Sequence, residues 1–257
     1  MFAALLLACA TPTTDCPSPD DTGAGDSAAD TAETGDTADT GAVPEGEVVH
    51  VTTEDGVELE GDYYGNHAGA EAVLLLHMIP PTYDRTTWPL DFIETLRADG
   101  YAVLALDRRG AGNSGGVAKD AYEGPNGVLD AYAAVDLLTD RGATSVVVIG
   151  ASNGTTTSID YTLTAADHGR PEPRAMIWMS PGEWTENNHA VADLDYAPLL
   201  FVYPNSEKSW SEAIHGADDP TDRWEYMKCA GSSHGTMMFD TVDGLGASLR
   251  DWLAASR

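Results

Sequence analysis

A serine between two glycines is the residue in this chain whose setting most strongly suggests chemistry. Residues 150–154 read GASNG, which matches the pattern G-x-S-x-G with Ser152 at its centre. The pattern follows a β-branched run (residues 146–149, VVVI) and precedes a helix-like segment, so it stands where a strand turns sharply into a helix. Such a turn holds the serine in a strained backbone conformation that requires small neighbours. We predict that Ser152 is a nucleophile; the alternative is a serine that only caps the helix.

His234 is the candidate general base. It lies in a loop of small residues (231–235, GSSHG), after an apolar run typical of a strand and before the last helix-like segment. A histidine side chain titrates near neutral pH, so it can take a proton from a serine hydroxyl and return it to a leaving group. The chain has seven histidines, and none of the others has this placement. The alternative is a buried, hydrogen-bonded structural histidine.

The elements that must position these residues alternate along the chain. Short apolar runs and helix-like segments follow one another after residue 46, which predicts a doubly wound, mostly parallel α/β sheet of about eight strands that opens with an antiparallel hairpin. Another doubly wound fold is the alternative. The segment between residues 179 and 198 is too short for a large cap, so an open site is expected. The predicted strands are 48–53, 57–63, 72–77, 101–107, 145–150, 175–180, 198–203 and 224–229, and the predicted helices are 88–99, 127–140, 152–166 and 241–255.

Four motifs in this order resemble those of the α/β-hydrolase superfamily, over residues 48–253. Besides GASNG and GSSHG, residues 75–78 (LLHM) resemble the family's HG oxyanion strand, with Met78 in the usual place of glycine, as in some members similar to dienelactone hydrolase. Residues 107–115 (DRRGAGNSG) resemble the turn D-x-R-G-x-G-x-S. The resemblance implies the α/β-hydrolase fold without a large cap and a serine esterase type of activity.

The same resemblance implies the other members of the site. The backbone N–H groups of Met78 and Asn153 would form an oxyanion hole, which stabilises the tetrahedral intermediate. Glu207 falls on the position of the triad acid, in a PNSE segment where the family has G-x-x-D, so Pro204 replaces the usual glycine. A carboxylate there would orient the imidazole of His234. Three other carboxylates are alternatives for the acid, namely Glu183, Asp193 and Asp195.

Residues near these motifs have expected roles as well. His77 is expected to support the oxyanion loop structurally. Arg108 and Arg109 are expected to be turn and surface residues rather than ligands of the substrate.

Acyl transfer to Ser152, followed by hydrolysis of the acyl-enzyme, is the expected mechanism, and it implies no metal and no organic cofactor. The expected partner is a small-molecule ester or acyl substrate. Peptidase, thioesterase and acyltransferase activities stay open, because one triad serves them all. The alternative from another class is a non-catalytic, surface-tethered module that binds a ligand or partner, which the departures at Met78, Pro204 and Glu207 favour.

The N-terminal residues indicate targeting. An apolar run (residues 2–8, FAALLLA) ends at Cys9, and LLAC resembles a bacterial lipobox, so residues 1–9 are predicted to be a signal peptide with a lipid anchor on Cys9. Residues 10–46 are rich in Thr, Asp, Ala and Gly, which predicts a disordered acidic linker before a domain at residues 47–257. The expected location is extracytoplasmic, as a bacterial envelope lipoprotein or a secreted protein. A simple solubilising tail is the alternative.

Charge and cysteine content exclude other functions. The chain has 42 acidic and 13 basic side chains and a formal net charge of −29, which repels nucleic-acid phosphates and anionic lipids. No Cys or His pair has the spacing of a zinc site. Cys16 lies in the predicted linker and Cys229 in a predicted strand, so a disulfide between them is expected to restrain little folded structure.

Overall fold

A single nine-stranded sheet organises the described part of the chain. The structure is a computed structural model that describes residues 13–17, 46–65, 69–182, 190–191, 194, 198–213 and 224–257. Along the sheet the strands stand in the order β1-β9-β8-β7-β6-β4-β5-β3-β2. Their bounds are β1 Thr13–Asp15, β2 Glu47–Thr52, β3 Glu58–Tyr64, β4 Ala72–Leu76, β5 Ala102–Leu106, β6 Val146–Ala151, β7 Ala175–Met179, β8 Leu199–Pro204 and β9 Trp224–Cys229.

Helices cover both faces of this sheet. The strands from β4 to β8 are buried along their whole length, so side chains that alternate in direction supply an apolar surface to each face. Helices α1 and α5 pack with one set of these side chains, and α2 and α3 pack with the other. The bounds are α1 Leu90–Ala98, α2 Val128–Asp140, α3 Gly154–Thr164, α4 Lys208–Ser211 and α5 Leu245–Ala255.

The doubly wound α/β fold predicted from the sequence is confirmed. All eight predicted strands are present, β2 and β3 pair as an antiparallel hairpin, and the strands from β4 to β9 run parallel. The connection from β7 to β8 is limited to residues 180–198, so the fold has no large cap. Because the parallel strands end at one edge of the sheet, the loops that follow β4, β6, β8 and β9 meet at that edge.

The ninth strand was not predicted, and it corrects the reading of residues 10–46 as one disordered linker. Thr13–Asp15 pairs in parallel with β9, from Tyr226 to Lys228, and a disulfide joins Cys16 to Cys229 directly beyond the paired residues. The expectation that this disulfide restrains little is therefore wrong. A segment without apolar periodicity joins the sheet here because backbone hydrogen bonds to an edge strand need no particular side chains, and the covalent bond holds it there.

This pairing makes a chemical prediction. The Cys9→Ser variant, produced in an oxidising compartment and unfolded without reductant, should show no free thiol, and it should show two after reduction. A peptide map should join Cys16 to Cys229. The triple variant without Cys9, Cys16 and Cys229 is the control, and it should keep the sheet from β2 to β9. Free thiols in the folded, oxidised protein would contradict the pairing.

Candidate active site

The backbone around Ser152 forms the strained turn that the sequence predicts. Ser152 has φ of +50°, in the left-handed region, and it is buried between the end of β6 and the start of α3. Its N–H donates to the carbonyl of Met179 at 2.7 Å, which fixes the turn to β7. A Cβ at Gly150 would lie 2.8 Å from the carbonyl oxygen of Gly154, and one at Gly154 would lie 2.3 Å from that of Leu76. Both glycines are therefore required by close backbone approaches.

Ser152, His234 and Glu207 form a continuous chain of contacts. The Oγ of Ser152 lies 2.6 Å from Nε2 of His234, and Nδ1 of His234 lies 2.7 Å from Oε1 of Glu207. A carboxylate only accepts, so Nδ1 carries the proton and Nε2 is free to accept the hydroxyl proton of Ser152. This is the arrangement of a nucleophile, a base and an orienting acid.

Two loops deliver the base and the acid. Glu207 ends a short 3-10 turn (Asn205–Glu207) directly after β8, and Pro204 forms the last residue of that strand without displacing the loop. His234 follows β9 and precedes the 3-10 helix Gly235–Asp240. The other candidates for the acid, Glu183, Asp193 and Asp195, lie outside the described residues, as does Cys9.

The two predicted oxyanion donors have N–H groups that no neighbour uses. Within the described part of the chain, neither Met78 nor Asn153 donates its backbone N–H to another residue, although both are buried. The side chain of Met78 packs over Gly235, where a Cβ would lie 2.5 Å from its sulfur. The thioether therefore fills space beside the His234 loop, and the N–H of Met78 stays available.

His77 is a neutral structural histidine, in agreement with the expectation. Its side chain has no exposed surface; Nδ1 lies 2.7 Å from the carbonyl oxygen of Met78, and Nε2 lies 2.9 Å from the N–H of Arg108. Nδ1 must therefore donate and Nε2 must accept, which fixes one neutral tautomer. Burial, aided by the charge of Arg108, lowers the pKa of His77 to about 3.

His77 should make stability depend on pH. Its folded-state pKa lies below the ordinary value of 6.5, so the unfolded chain binds the extra proton and the free energy of unfolding falls as the pH drops below about 6.5. At about 1.4 kcal/mol per pH unit, the loss from this residue between pH 7 and pH 5 is about 2 kcal/mol. The His77→Gln variant, whose amide oxygen can accept from Arg108, should lose less than the parent over this interval in urea unfolding. Equal losses in the two proteins would contradict the assignment.

Arg108 and Arg109 are fully buried, so the expectation that they are surface residues is wrong. Arg109 pairs through Nε with Asp130 of α2 at 2.8 Å and through Nη1 with Asp55 at 2.8 Å. Arg108 instead contacts Asn153: its Nη1 donates a hydrogen bond to Oδ1 of Asn153 at 2.9 Å. Sequence reasoning missed both because an arginine in a glycine-rich turn is usually solvated, and the buried partners are at least 13 residues away in the chain.

Sequence reasoning also missed two residues that support His234. Ser180 has φ of +49°, and its Oγ accepts a hydrogen bond from the N–H of Gly235 at 2.9 Å, which anchors the loop of His234. The ring of Trp210 stacks on the imidazole of His234, with centroids 5.7 Å apart and planes within 9°. Trp210 is 39% exposed, which is high for so large an apolar side chain. The only signal for Ser180 in the sequence is its place directly after a buried strand.

Other kinds of site are not found in the described residues. No group of three or more His, Cys, Asp or Glu side chains there could hold a metal ion. Over the same residues, every helix is too short or too polar to cross a bilayer.

The parallel sheet, the strained serine turn and the contact chain through His234 define the class of protein, which is an α/β-hydrolase. The family model described as "Serine aminopeptidase, S33" matches residues 72–208, just over half of the chain and the part that contains Ser152 and Glu207. The chain therefore belongs to this family of α/β-hydrolases, and it is a hydrolase. No curated protein matches the chain.

Solved structures share the fold. The Pyrococcus furiosus esterase Pf2001 aligns with a TM-score of 0.66 and 21% identity, over 82% of this chain and 92% of that one. The esterase RhEst1 from Rhodococcus sp. ECU1013 aligns with a TM-score of 0.58 and 15% identity, over 82% and 99%. Est1E from Butyrivibrio proteoclasticus, solved with bound ferulic acid, aligns with a TM-score of 0.62 and 16% identity, over 81% and 97%.

Proposed function

We propose that this protein is a serine esterase that cleaves small carboxylic esters through an acyl-enzyme. The observation that carries the proposal is the contact chain of Ser152, His234 and Glu207, with distances of 2.6 and 2.7 Å between successive polar atoms. Hydrogen bonds of this length already join the nucleophile to its base and the base to its acid, so the three groups need no rearrangement before proton transfer.

The reaction has two halves. The Oγ of Ser152 attacks the ester carbonyl carbon while its proton passes to Nε2 of His234, and the negative charge on the carbonyl oxygen is stabilised by the N–H groups of Met78 and Asn153. The intermediate then collapses, and the alcohol leaves with the proton from Nε2. A water molecule attacks the acyl-enzyme by the same path in reverse, which releases the acid and restores Ser152. Glu207 stabilises the imidazolium that forms in each half.

Two features support a small substrate with an apolar or planar group. Trp210 and Met237 are large apolar side chains that are each 39% exposed. The Trp210 ring stacks on His234, and the N–H of Met237 donates to the carbonyl of His234 at 3.1 Å. The absence of a large cap leaves this apolar rim without a covering domain. Among the similar solved structures, Pf2001 and RhEst1 are esterases, and Est1E holds ferulic acid, an aromatic acid.

The triad can be tested with a fluorophosphonate probe and a panel of p-nitrophenyl esters. The parent should be labelled and should hydrolyse short esters. Ser152→Ala, His234→Ala and Glu207→Gln should each lower kcat/KM by at least about a thousandfold, since each removes one member of a triad that acts as a unit. Ser248→Ala, on α5 in the helical layer, is the control serine and should keep the parent's rate.

The same assay separates the other activities. Aminoacyl p-nitroanilides, run beside the esters, report on the aminopeptidase activity that the family description names. A higher kcat/KM on these amides than on any ester would replace the esterase by an aminopeptidase with the same triad. A folded parent that stays unlabelled while a known serine esterase reacts would reject both and favour a binding module.

We also propose that the protein acts outside the cytoplasm, held to a membrane by a lipid on Cys9. The disulfide between Cys16 and Cys229 supports an oxidising compartment. Because Thr13 is already part of the sheet, only residues 10–12 would separate the anchor from the domain, a reach of about 14 Å over four fully extended Cα–Cα steps. Residues 18–45 then connect two points of one domain rather than act as a spacer.

Fractionation of the expressing bacterium tests the anchor. The parent should partition into the detergent phase of an envelope extract, and Cys9→Ser should move to the aqueous phase, because one removed diacyl group eliminates most of the membrane affinity. Cys16→Ser is the matched control, since it removes a different cysteine, and it should stay in the detergent phase. Equal partition of the parent and the Cys9 variant would reject the anchor.

A further inference from the structure

Arg108 is a buried cation surrounded by neutral acceptors. Its side chain has no exposed surface, and no carboxylate among the described residues lies within salt-bridge distance of it. Nη1 donates to Oδ1 of Asn153 at 2.9 Å and to the carbonyl of His77 at 3.3 Å. Nη2 donates to the carbonyl of Ala121 at 2.7 Å and to Oγ1 of Thr157 at 2.9 Å. Its direct contacts are therefore all with dipoles, while the carboxylates of Asp130 and Asp160 favour its charged form from beyond hydrogen-bond distance.

The two neighbouring arginines show that this arrangement is particular to Arg108. Arg109 contacts Asp130 and Asp55, and Arg85 contacts Glu60, Asp62 and Asp107. Burial lowers the pKa of Arg108 to about 10, so the guanidinium stays charged at neutral pH. A buried guanidinium that no described carboxylate contacts directly is costly to fold, so this charge is kept at a cost in stability.

The acceptors of Nη1 belong to the two segments that carry the oxyanion donors. The carbonyl of His77 and the N–H of Met78 are parts of one peptide group, so a cation at the carbonyl oxygen polarises that N–H and makes it a stronger donor. Asn153 supplies the second donor through its own N–H while its side chain accepts from Arg108. In addition, the backbone N–H of Arg108 donates to His77 Nε2 at 2.9 Å, which orients the ring that holds the Met78 carbonyl.

We propose that Arg108 is a positioning residue for the oxyanion hole: it joins the His77–Met78 peptide to Asn153, and its charge, in direct contact with their oxygens, strengthens both donors as negative charge develops on the acyl oxygen. The inference rests on the proposed serine hydrolase function. It concerns the transition state and not the substrate, because the ground-state carbonyl carries little charge.

Charge and hydrogen bonding can be separated with two variants of the full-length, oxidised protein. Arg108→Gln keeps donors but removes the charge, and Arg108→Lys keeps the charge. Thr157→Val is the matched control, since it removes one partner of Nη2 and leaves both contacts of Nη1 with the donor segments in place. Each variant is assayed for kcat and KM on p-nitrophenyl butyrate and for the affinity of a trifluoromethyl ketone, which Ser152 converts to a tetrahedral anion. Thermal unfolding shows which variants are folded.

Arg108→Gln should lower kcat by about tenfold to a hundredfold, which is less than the effect of losing a direct donor. It should lower the affinity for the trifluoromethyl ketone by a similar factor, while KM stays within about threefold. Arg108→Lys should recover most of this loss, and Thr157→Val should stay close to the parent. If Arg108→Gln does not fold, Asn153→Ala tests the contact instead: it removes the side-chain acceptor of Nη1 and keeps the backbone N–H, and it should lower kcat and the affinity for the ketone while KM stays within about threefold.

Two outcomes overturn the proposal. In one, the folded Gln variant keeps the kcat and the ketone affinity of the parent, or it changes only KM; the esterase mechanism then stands and Arg108 is merely structural. In the other, the parent hydrolyses no ester, binds no ketone and stays unlabelled at Ser152, and the proposed function falls together with the role of Arg108.

Discussion

The close approach of α3 to the end of β4 is the constraint on which the rest of the site depends. Gly154 lies where any side chain would strike the Leu76 carbonyl, so the first turn of α3 is pressed against the segment that leads to Met78. This approach brings the N–H groups of Asn153 and Met78 to one side of the sheet, and it leaves Ser152 at the apex in a left-handed conformation. The loops after β8 and β9 then need only to reach that apex, which they do with Glu207 and His234.

Charge is distributed unevenly between the surface and the interior of this protein. A chain with a formal net charge of −29 places Arg85, Arg108 and Arg109 in or near the core beside the oxyanion segment. Two of these arginines are neutralised by carboxylates that also close the turn after β5, where Gly112 leaves room for the side chain of Asp107. Only the third, Arg108, is directed at backbone and amide oxygens. Arg108 thus places a positive charge beside the His77–Met78 peptide, where the proposed mechanism forms an anionic intermediate, in a chain that is acidic as a whole.

The edge of the sheet shows how little sequence signal a strand needs when another strand supplies the template. Thr13–Asp15 is only three residues long and has no apolar side chain, yet it extends the sheet beside β9 through backbone pairing. The disulfide at Cys16 places a covalent constraint at the end of β9, five residues before His234. The N-terminal segment is thereby part of the domain rather than separate from it.

The sequence by itself determined the order of eight strands, the serine turn and the candidates Ser152 and His234, because these follow from local rules: apolar runs that must be buried, glycines that a tight backbone requires, and loop positions set by the strands before them. Glu207 came from the resemblance to the α/β-hydrolases with other carboxylates left open, and its contact with His234 is a tertiary one. The tertiary structure decided the rest. The burial of Arg108, the anchor from Ser180 to Gly235 and the pairing of β1 join residues from 31 to more than 200 positions apart. No local pattern encodes such contacts, since an arginine or a serine has the same propensity in a solvated turn as beneath an active site. Only the packing of the whole chain determines which of these side chains lose contact with water and what they then bind.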